Sequence, residues 1–344
     1  MKKIFLILII PFVILLILFT PYYNFLKKTL KISPIKALFF KDSLKIYDNQ
    51  VNIVLLGIAG GNHDGPNLSD SIMVVNYNMK NNQLTTIAIP RDIWSSTLKD
   101  KINSAYAYGE AKKIGGGSTL AKAELSSVVG FPIHYAVVID FDEFKKLIDF
   151  LGGIDINVEK SFTDKEFPIT GHENDLCNGD KEYRCRYKTI SFEKGLQHMD
   201  GETTLDFIRS RNAEGDEGSD FARARRQQKM IEAIKNKLLK EIKFFDLKKI
   251  GETYSVIDKL IVRDITNQQT AILFRNIILK KNLRQKSVVL GEDSFVVPPY
   301  YEYEGMYVLI PASGNYDNLH QYISCQINNL PDCDSLIKKG EEKK

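Results

Sequence analysis

Arginine residues crowd into one short stretch near the middle of this chain. Arg209 and Arg211 form an Arg-x-Arg pair, and Asp220, Arg223 and Arg226 follow within a few positions. The guanidinium group is a planar fork of donors that binds two phosphate oxygens with parallel hydrogen bonds. The formal net charge of the whole chain is only +4, so this positive charge is a local feature. The cluster predicts a site for a phosphate-bearing ligand.

The second half of the cluster lies on a predicted helix. Ser219 or Asp220 suits its N-cap, and the helical pattern continues to about residue 240. Arg223, Arg226 and Gln227 are three and four positions apart, so they share one face. They also occupy the first turns, where the helix dipole attracts an anion. The alternative is that these arginines form ordinary surface ion pairs with the acidic residues of the 214–217 segment.

Two further charged segments fall at the ends of predicted strands. Ser69-Asp70 opens one strand, and Arg91-Asp92 closes the next. Charged residues at strand ends in an α/β fold lie on the rim where ligands bind. The sequence contains no Walker A motif, no G-x-S-x-G elbow and no H-E-x-x-H pair. Those three kinds of nucleotide, hydrolase and metalloprotease site are therefore excluded.

Strands and helices alternate along the chain without internal repeats. This order predicts an α/β fold in which α-β-α layers form a single domain around a central mixed sheet. Strands are predicted over residues 52–56, 71–77, 84–89, 135–141, 154–158, 287–290 and 306–310, and helices over 118–129, 142–151, 200–207, 220–240, 267–279 and 316–327. Residues 160–190 are predicted to be a polar loop region.

The N-terminus carries an apolar run over residues 4–19, with lysines on both sides. This pattern predicts a transmembrane helix within residues 1–25. A cleaved signal peptide is the alternative, although no small-x-small site follows the run. We expect a juxtamembrane linker over 26–50, an extracytoplasmic domain over 51–330 and a charged tail over 331–344. The expected location is the cell membrane, with a single pass.

Four cysteines, Cys177, Cys185, Cys325 and Cys333, form two local pairs of identical spacing. Local pairing is the least costly of the three possible connectivities, and disulfides persist in exported proteins. The sequence therefore predicts two disulfides. Free thiols in a cytosolic protein and a zinc site that includes His172 are the alternatives, but the spacing matches no common zinc pattern.

Seven segments, taken in order, resemble the LytR–CpsA–Psr family, and as a set they are highly specific. They cover about residues 51–240, and the resemblance extends to about residue 325 because the 298–311 segment fits the end of some members. The segments are Asn52-Ile-Val-Leu-Leu-Gly57, Ser69-Asp70, Ile89-Pro90-Arg91-Asp92, Lys101-Ile-Asn103-Ser-Ala-Tyr106, Leu151-Gly152-Gly153-Ile154, Arg209-x-Arg211 and Asp220-Phe-x-Arg223-x-x-Arg226-Gln227-Gln228.

The resemblance implies a membrane-anchored, extracytoplasmic phosphotransferase of cell-wall assembly. Such an enzyme moves a glycopolymer from an undecaprenyl-pyrophosphate carrier in the membrane lipid to a peptidoglycan hydroxyl, with Mg²⁺ as cofactor. Nucleic acid is not an expected partner. By the same resemblance, Arg91, Arg209, Arg211, Arg223 and Gln227 hold the pyrophosphate, Asp70 binds Mg²⁺, Asp220 orients the arginines, Asp92 positions phosphate or acceptor, and Lys101 and Arg226 contact the substrate.

The chain departs from the family pattern at two positions. Ala59 and Leu68 stand where members commonly have Asp and Arg, so one metal ligand and one phosphate contact are expected to be missing. Asp64, in the same loop, is a candidate for the second metal carboxylate. Alternatively, His63-Asp64 is only a turn.

Two other functions are compatible with these motifs. A non-catalytic wall-binding protein would hold the lipid carrier in the same cleft, and the two departures favour it. A membrane-bound transcriptional attenuator would use the basic helix on DNA. Acidic residues interrupt that helix, helix-turn-helix spacing is absent and the net charge is modest, so DNA binding is disfavoured.

Overall fold

The computed structural model describes residues 19–39, 44–61, 65–172, 174–241, 246–280, 282–291 and 293–337. Most of the apolar run predicted as an anchor therefore lies outside the described residues, as do His63 and Asp64. Within the described ranges, no helix is both long and apolar enough to cross a bilayer. The transmembrane helix stays a prediction.

The described residues form strands and α-helices around one main sheet. The strands are β1 Gln50–Ile58, β2 Ser69–Asn78, β3 Gln83–Ala88, β4 Trp94–Ser95, β5 Asp100–Lys101, β6 Tyr135–Asp140, β7 Ile154–Val158, β8 Phe162–Pro168, β9 Tyr187–Phe192, β10 Gly195–Met199, β11 Val262–Arg263, β12 Arg284–Val289, β13 Phe295–Val296 and β14 Ile310–Pro311. The helices are α1 Pro34–Phe39, α2 Ala105–Lys112, α3 Gly117–Val129, α4 Phe141–Phe150, α5 Gly201–Arg209, α6 Asp220–Glu241, α7 Leu247–Leu260, α8 Asn267–Leu279 and α9 Asp317–Asn328.

The central sheet has six strands in the order β11-β6-β1-β2-β3-β12. Strands β1 and β6 pair in parallel, as do β3 and β12, whereas β2 is antiparallel to both β1 and β3. The predicted mixed sheet is thus confirmed. Because β1, β3, β6 and β12 run in the same direction, their carboxyl ends meet at one edge, and β2 begins there. This edge receives the charged segments that the sequence singled out.

Both faces of the sheet are covered, which gives the predicted α-β-α layering. Alternate residues such as Val54 and Leu56 of β1 belong to a large apolar core that also contains residues of α2, α3 and α9. On the opposite face, α4, α5 and α6 contribute to a second apolar core that includes Phe144, Leu205 and Met230. The period-two alternation of strands supplies one apolar face for each helix layer.

Several parts of the secondary structure differ from the sequence prediction. The 160–190 region is not only loop, because β8 and β9 pair in an antiparallel ribbon at its two ends. These strands carry exposed polar residues on one side, which hides their period. Helix α7 was not predicted, although Asp246 caps it through a hydrogen bond from the Lys249 N–H. The strand expected over 306–310 is reduced to β14, with an isolated bridge between Ile93 and Leu309.

Segments outside the predicted domain boundaries also pack onto the domain. Helix α1, in the expected linker, lies against α8, and Leu44 is buried beside Tyr135 and Ile272. At the other end, Cys333 is buried in the core under α9. The folded unit therefore extends on both sides of the predicted 51–330 range.

The two predicted disulfides are confirmed. Cys177 bonds to Cys185 in an exposed loop, and Cys325 of α9 bonds to Cys333. No free cysteine is left, so the thiol and zinc alternatives are excluded for these four residues. Each disulfide closes a loop of the same sequence separation, 8 residues.

The two disulfides form a matched pair for a stability test. Replacing Cys325 and Cys333 by alanine should lower the free energy of unfolding by about 2–3 kcal/mol, because the unfolded chain regains the entropy of loop closure and a buried contact is lost. The same change at Cys177 and Cys185 should cost less, because that loop is exposed and opens locally. Urea titration followed by circular dichroism measures both. Equal losses would contradict this distinction.

Candidate active site

An elongated cavity of about 380 Å³ lies between the sheet and the helix layer formed by α4, α5 and α6. One end, at the carboxyl edge of the sheet, is polar and charged, whereas the rest is apolar. The polar end contains Asp70, Ser71, Arg91, Asp140, Arg209, Arg211, Asn212, Arg223 and Gln227. The apolar part includes Leu55, Met73, Phe144, Leu147, Ile234 and Ile261. Residues that are far apart in the sequence thus share one amphipathic chamber.

Ion pairs link three charged segments at this edge. Arg91 Nη1 pairs with the Asp70 carboxylate, so the end of β3 is tied to the start of β2. Arg91 Nε lies 3.4 Å from Asp92 Oδ2, and Lys101 Nζ lies 2.8 Å from Asp92 Oδ1. Asp92 is buried, with 3% of its surface exposed. It therefore acts as a hub that holds Arg91 and Lys101 in place. Lys101 itself does not line the cavity.

The charge state of Asp92 follows from these contacts. Burial alone would raise the pKa of Asp92, but the hydrogen bond from Lys101 and the charges of Arg91, Lys101 and Arg211 outweigh it, so the pKa is lowered. The carboxylate therefore stays ionised throughout the neutral range. Its contribution to stability is present above the ordinary value of about 3.9 and is lost as the pH falls through the lowered pKa.

Helix α6 brings its first turns to the polar end of the cavity. The Ser219 hydroxyl accepts a hydrogen bond from the Ala222 N–H, which confirms a serine cap at this point. Arg223 and Gln227 both line the cavity, and Gln227 Oε1 accepts a hydrogen bond of 2.9 Å from the Ser71 hydroxyl of β2. Asp220 begins the helix; its side chain lies outside the described part of the structure.

Two aromatic rings orient the guanidinium group of Arg209. The sequence predicted Arg209 as a site residue but did not predict these ring contacts. The guanidinium carbon of Arg209 lies 4.7 Å from the ring centroid of Phe141 and 5.6 Å from that of Phe167. Such cation–π contacts are worth about 0.5–2 kcal/mol and fix the plane of the guanidinium group. Phe141 begins α4 and Phe167 lies in β8, so two elements distant in sequence hold one phosphate-binding candidate.

A buried carboxylate, Asp164 of β8, holds the backbone between the two loop arginines. Its Oδ2 accepts hydrogen bonds from Ser210 Oγ at 2.7 Å and from the backbone N–H groups of Arg211 and Asn212, each at 3.1 Å. The residue is fully buried. Charge-assisted bonds of this kind are the strong ones. Sequence reasoning missed Asp164, because it lies in a segment taken for loop.

Like Lys101, the predicted substrate contact Arg226 does not line the cavity. It is 4% exposed, and its guanidinium donates to the carbonyl oxygens of Phe207 and Ser210 and to Glu217. Burial lowers the pKa of Arg226 to about 10, with the Glu217 carboxylate opposing the shift. Arg226 therefore has a structural role in place of the predicted substrate contact. It fixes the carbonyl side of the loop whose N–H side Asp164 holds.

Asp70 is the described residue that fits the Mg²⁺ expected from the sequence. Its carboxylate borders the polar end beside four arginines, and its side chain is 31% exposed. Mg²⁺ keeps several waters and needs only one or two protein carboxylates when phosphates complete its shell. Asp140 lines the same end, and its carboxylate also caps α4. Asp64 lies outside the described residues.

The structure shows what replaces one of the missing family residues. Ala59 is buried in the apolar core beneath the cavity, with Phe141 and Phe144 in the same cluster. An apolar contact thus stands where relatives commonly have a carboxylate. Leu68 packs beside Gly65, where an added Cβ would lie 2.5 Å from a Leu68 methyl carbon. Gly65 has a φ of +66°, which also favours glycine.

The sheet, the layers and the cavity define an α/β protein in which an arginine-lined end opens onto an apolar chamber. The LytR_cpsA_psr family model matches residues 24–317. The chain therefore belongs to this family.

Several characterised relatives are similar in sequence or structure. The polyisoprenyl-teichoic acid–peptidoglycan teichoic acid transferase TagU of Bacillus mycoides is 31% identical over 241 residues, which is 69% of this chain and 66% of that protein. TagU of Bacillus anthracis is 30% identical over 66% of this chain and 64% of its own length. The match thus spans just under two thirds of these relatives. The regulatory protein MsrR of Staphylococcus aureus is 31% identical over 56% of this chain and 50% of its own length.

Solved structures confirm the fold. TagV of B. subtilis superposes with a TM-score of 0.57 at 22% identity and covers 82% of this chain and 99% of its own. TagT bound to LIIa-WTA has a TM-score of 0.55 at 20% identity and covers 84% of this chain and 96% of its own.

Arg226 and Arg211 should contribute very differently to the free energy of unfolding. Arg226→Ala leaves several buried carbonyls and Glu217 without their donor, so the free energy of unfolding should fall by about 3 kcal/mol or more. Arg211→Ala, at an exposed position, should change stability by about 0.5 kcal/mol or less. Chemical denaturation of the two variants gives both values. A stability loss at Arg211 as large as that at Arg226 would contradict the assignment.

The contacts of Asp92 predict that its pKa depends on Lys101. Lys101→Met removes a hydrogen bond and a charge but leaves Asp92 buried, so the pKa of Asp92 should rise toward or above its ordinary value. NMR titration of the carboxyl carbon measures this change. Lys99→Met, at a nearby lysine outside the Asp92 contacts, is the control and should leave the titration where it was.

Proposed function

We propose that this protein is a phosphotransferase that moves a glycopolymer from a polyprenyl-pyrophosphate carrier to a peptidoglycan hydroxyl in cell-wall assembly. The observation that carries the proposal is the amphipathic cavity, in which Arg91, Arg209, Arg211 and Arg223 share one end of an otherwise apolar chamber. A pyrophosphate joined to a long hydrocarbon tail has that same division. The transferase names of the TagU relatives support the activity.

The apolar part of the cavity suits a polyprenyl tail. Ile261, directly after α7, lines it together with Leu147 of α4. The Phe25–Thr29 turn packs against α7, so the chain that leads from the predicted anchor passes near the apolar end. This arrangement supports a membrane location, because the carrier lipid is embedded in the membrane. The position of the domain outside the cytoplasm is what the family resemblance implies. Burial of each methylene would contribute about 0.8 kcal/mol.

The chemistry of transfer asks for charge neutralisation and alignment rather than for a covalent intermediate on the protein. The acceptor hydroxyl attacks the phosphorus atom that bears the glycopolymer, the bond from that phosphorus to the bridging oxygen breaks, and lipid phosphate leaves. The proton of the hydroxyl passes to solvent or to a nearby base. Arg209 and Arg211 would hold phosphate oxygens, fixed by Asp164, Phe141 and Phe167.

The roles of the remaining residues follow from their positions. Arg91 would neutralise the developing charge from the sheet side, and Arg223 from the first turns of α6, where the helix dipole adds to its effect. Gln227 would donate its amide hydrogens. Asp70 would hold Mg²⁺, which supplies further charge on the phosphates when bound. Asp92 would keep Arg91 in place.

A non-catalytic carrier-binding protein is the second candidate. The burial of Ala59 in the apolar core and the pairing of Asp70 with Arg91 favour it, because both reduce the carboxylates available to a metal. Under this alternative the cavity holds the lipid pyrophosphate, and no transfer follows.

A transfer assay separates the two. The full chain in detergent is given a short-chain polyprenyl-pyrophosphate glycan and a peptidoglycan fragment, and mass spectrometry reads the products with Mg²⁺ and with EDTA. We expect a phosphodiester-linked product that depends on Mg²⁺. Arg91→Ala and Arg211→Ala should each lower the rate by about 100-fold or more.

Arg184→Ala is the matched control, because Arg184 is an exposed arginine in the loop of the first disulfide. It should transfer as the wild type does. Tight donor binding without product in the wild type would establish the second candidate. Wild-type rates in both cavity variants would overturn the proposed site.

A further inference from the structure

Four tyrosines form an exposed surface next to the charged edge of the sheet. Tyr300, Tyr301, Tyr303 and Tyr307 lie within eight residues between β13 and β14, and we call this segment the tyrosine loop. Tyr300 is 54% exposed, Tyr301 82% and Tyr307 41%. Exposed aromatic groups gathered in this way are uncommon on a surface without a partner.

The tyrosine loop is fixed to the candidate active site by backbone hydrogen bonds. The Leu309 N–H donates to the Asp92 carbonyl, and the Trp94 N–H donates to the Leu309 carbonyl, each at 2.9 Å. The 3-10 turn Tyr300–Tyr303 is closed by a 2.9 Å bond from the Gly305 N–H to the Tyr300 carbonyl. The aromatic surface is therefore ordered and attached to the turn that bears Arg91.

Side-chain contacts continue this connection. The rings of Trp94 and Tyr303 meet edge to face at a centroid distance of 5.0 Å, and Lys101 Nζ lies 5.9 Å from the centroid of Tyr307. Because Lys101 also pairs with Asp92, a continuous path leads from the tyrosine loop to Arg91. The tyrosine loop is thus linked through Lys101 and Asp92 to Arg91, which lines the cavity.

Charge restricts what the tyrosine loop binds. The sequence from 294 to 317 contains no lysine or arginine, and Glu302 and Glu304 lie between the tyrosines. Anionic lipid surfaces, nucleic acids and phosphate-rich polymers would be repelled. An uncharged N-acetylhexosamine ring fits this surface, because its C–H face packs on an aromatic ring while tyrosine hydroxyls bond to its rim.

We propose that the tyrosine loop is the binding surface for the acceptor, a stretch of N-acetylated peptidoglycan glycan. The inference rests on the proposed transferase function and adds the place where the acceptor is held. The acceptor is favoured over the donor because a donor polymer that carries repeated phosphates is repelled by Glu302 and Glu304. The loop would present a sugar hydroxyl to the phosphorus atom held by the arginines.

Direct binding tests this assignment without relying on turnover. The full chain in detergent is titrated with an uncharged tetrasaccharide of N-acetylglucosamine, the sugar of peptidoglycan glycan that bears no carboxylate, and the Kd is measured by calorimetry or by ligand-observed NMR. Tyr301→Ala combined with Tyr307→Ala should weaken binding by about tenfold. Tyr301→Phe combined with Tyr307→Phe keeps the rings and should restore most of it. Tyr47→Ala removes another exposed tyrosine (54%), which lies at the opposite end of β1, and should have no effect.

Two further binding experiments test whether the tyrosine loop binds a different ligand. Binding to anionic vesicles and to a phosphate-rich glycopolymer should be unchanged by the double alanine variant. In the transfer assay, the same variant should raise the KM for the acceptor by about tenfold and leave the KM for the lipid donor unchanged.

The outcomes are distinct. Absence of measurable tetrasaccharide binding by the wild type, or equal binding by the double alanine variant, overturns the inference. Loss of vesicle or donor-polymer binding instead of tetrasaccharide binding assigns the loop to another partner and also overturns it. Tyrosine-dependent glycan binding in a protein that makes no product would uphold the surface while the transferase proposal fails.

Discussion

Two buried charges fix the loop on which the charged end of the cavity depends. Asp164 accepts hydrogen bonds from the N–H side of the segment that follows α5, and Arg226 donates to its carbonyl side. Burying either charge is costly unless it is fully hydrogen-bonded, and each of them is bonded to this segment. The loop is therefore held in one conformation, with Arg209 and Arg211 at the mouth of the chamber. Arginines on an unrestrained loop would lose entropy on binding each phosphate.

The direction of the strands explains why the charged groups converge. Strands β1, β3 and β6 all end at the same edge of the sheet, and β2 begins there. Asp70, Arg91 and Asp140 therefore meet although 70 positions separate the first from the last. Beyond this edge, alternate strand residues such as Leu55 and Met73 point into the chamber. One sheet thus supplies both the polar rim and the apolar wall, which is the division that a lipid-linked pyrophosphate needs.

In the proposed transfer, the cavity and the tyrosine loop each receive one of the two reactants. The chamber lies under α6 and would receive the lipid pyrophosphate, whereas the tyrosine loop lies on the far side of Asp92 and would receive the acceptor glycan. Asp92 and Lys101 stand between the two surfaces, and their ion pair joins them mechanically. Asp70 is the described carboxylate that would hold Mg²⁺, and because Ala59 offers no second one, the arginines would carry more of the charge neutralisation.

The sequence alone determined the elements whose signals are local. The strand of β7 and the helix α8 match their predicted ranges, and α3 ends at Gly130, whose φ of +80° is suited to glycine. Local pairing of the cysteines was also predicted, and the ordered motifs identified the family and six of the nine residues at the polar end of the cavity. Only the tertiary structure decided which arginine lines the cavity and which one is buried against the protein. Arg223 and Arg226 are three positions apart on one helix, but packing turns the first into the chamber and buries the second against the Ser210 loop. The same holds for Asp164 and the tyrosine loop, because their roles arise from partners remote in the chain, and no local pattern encodes contacts of that kind.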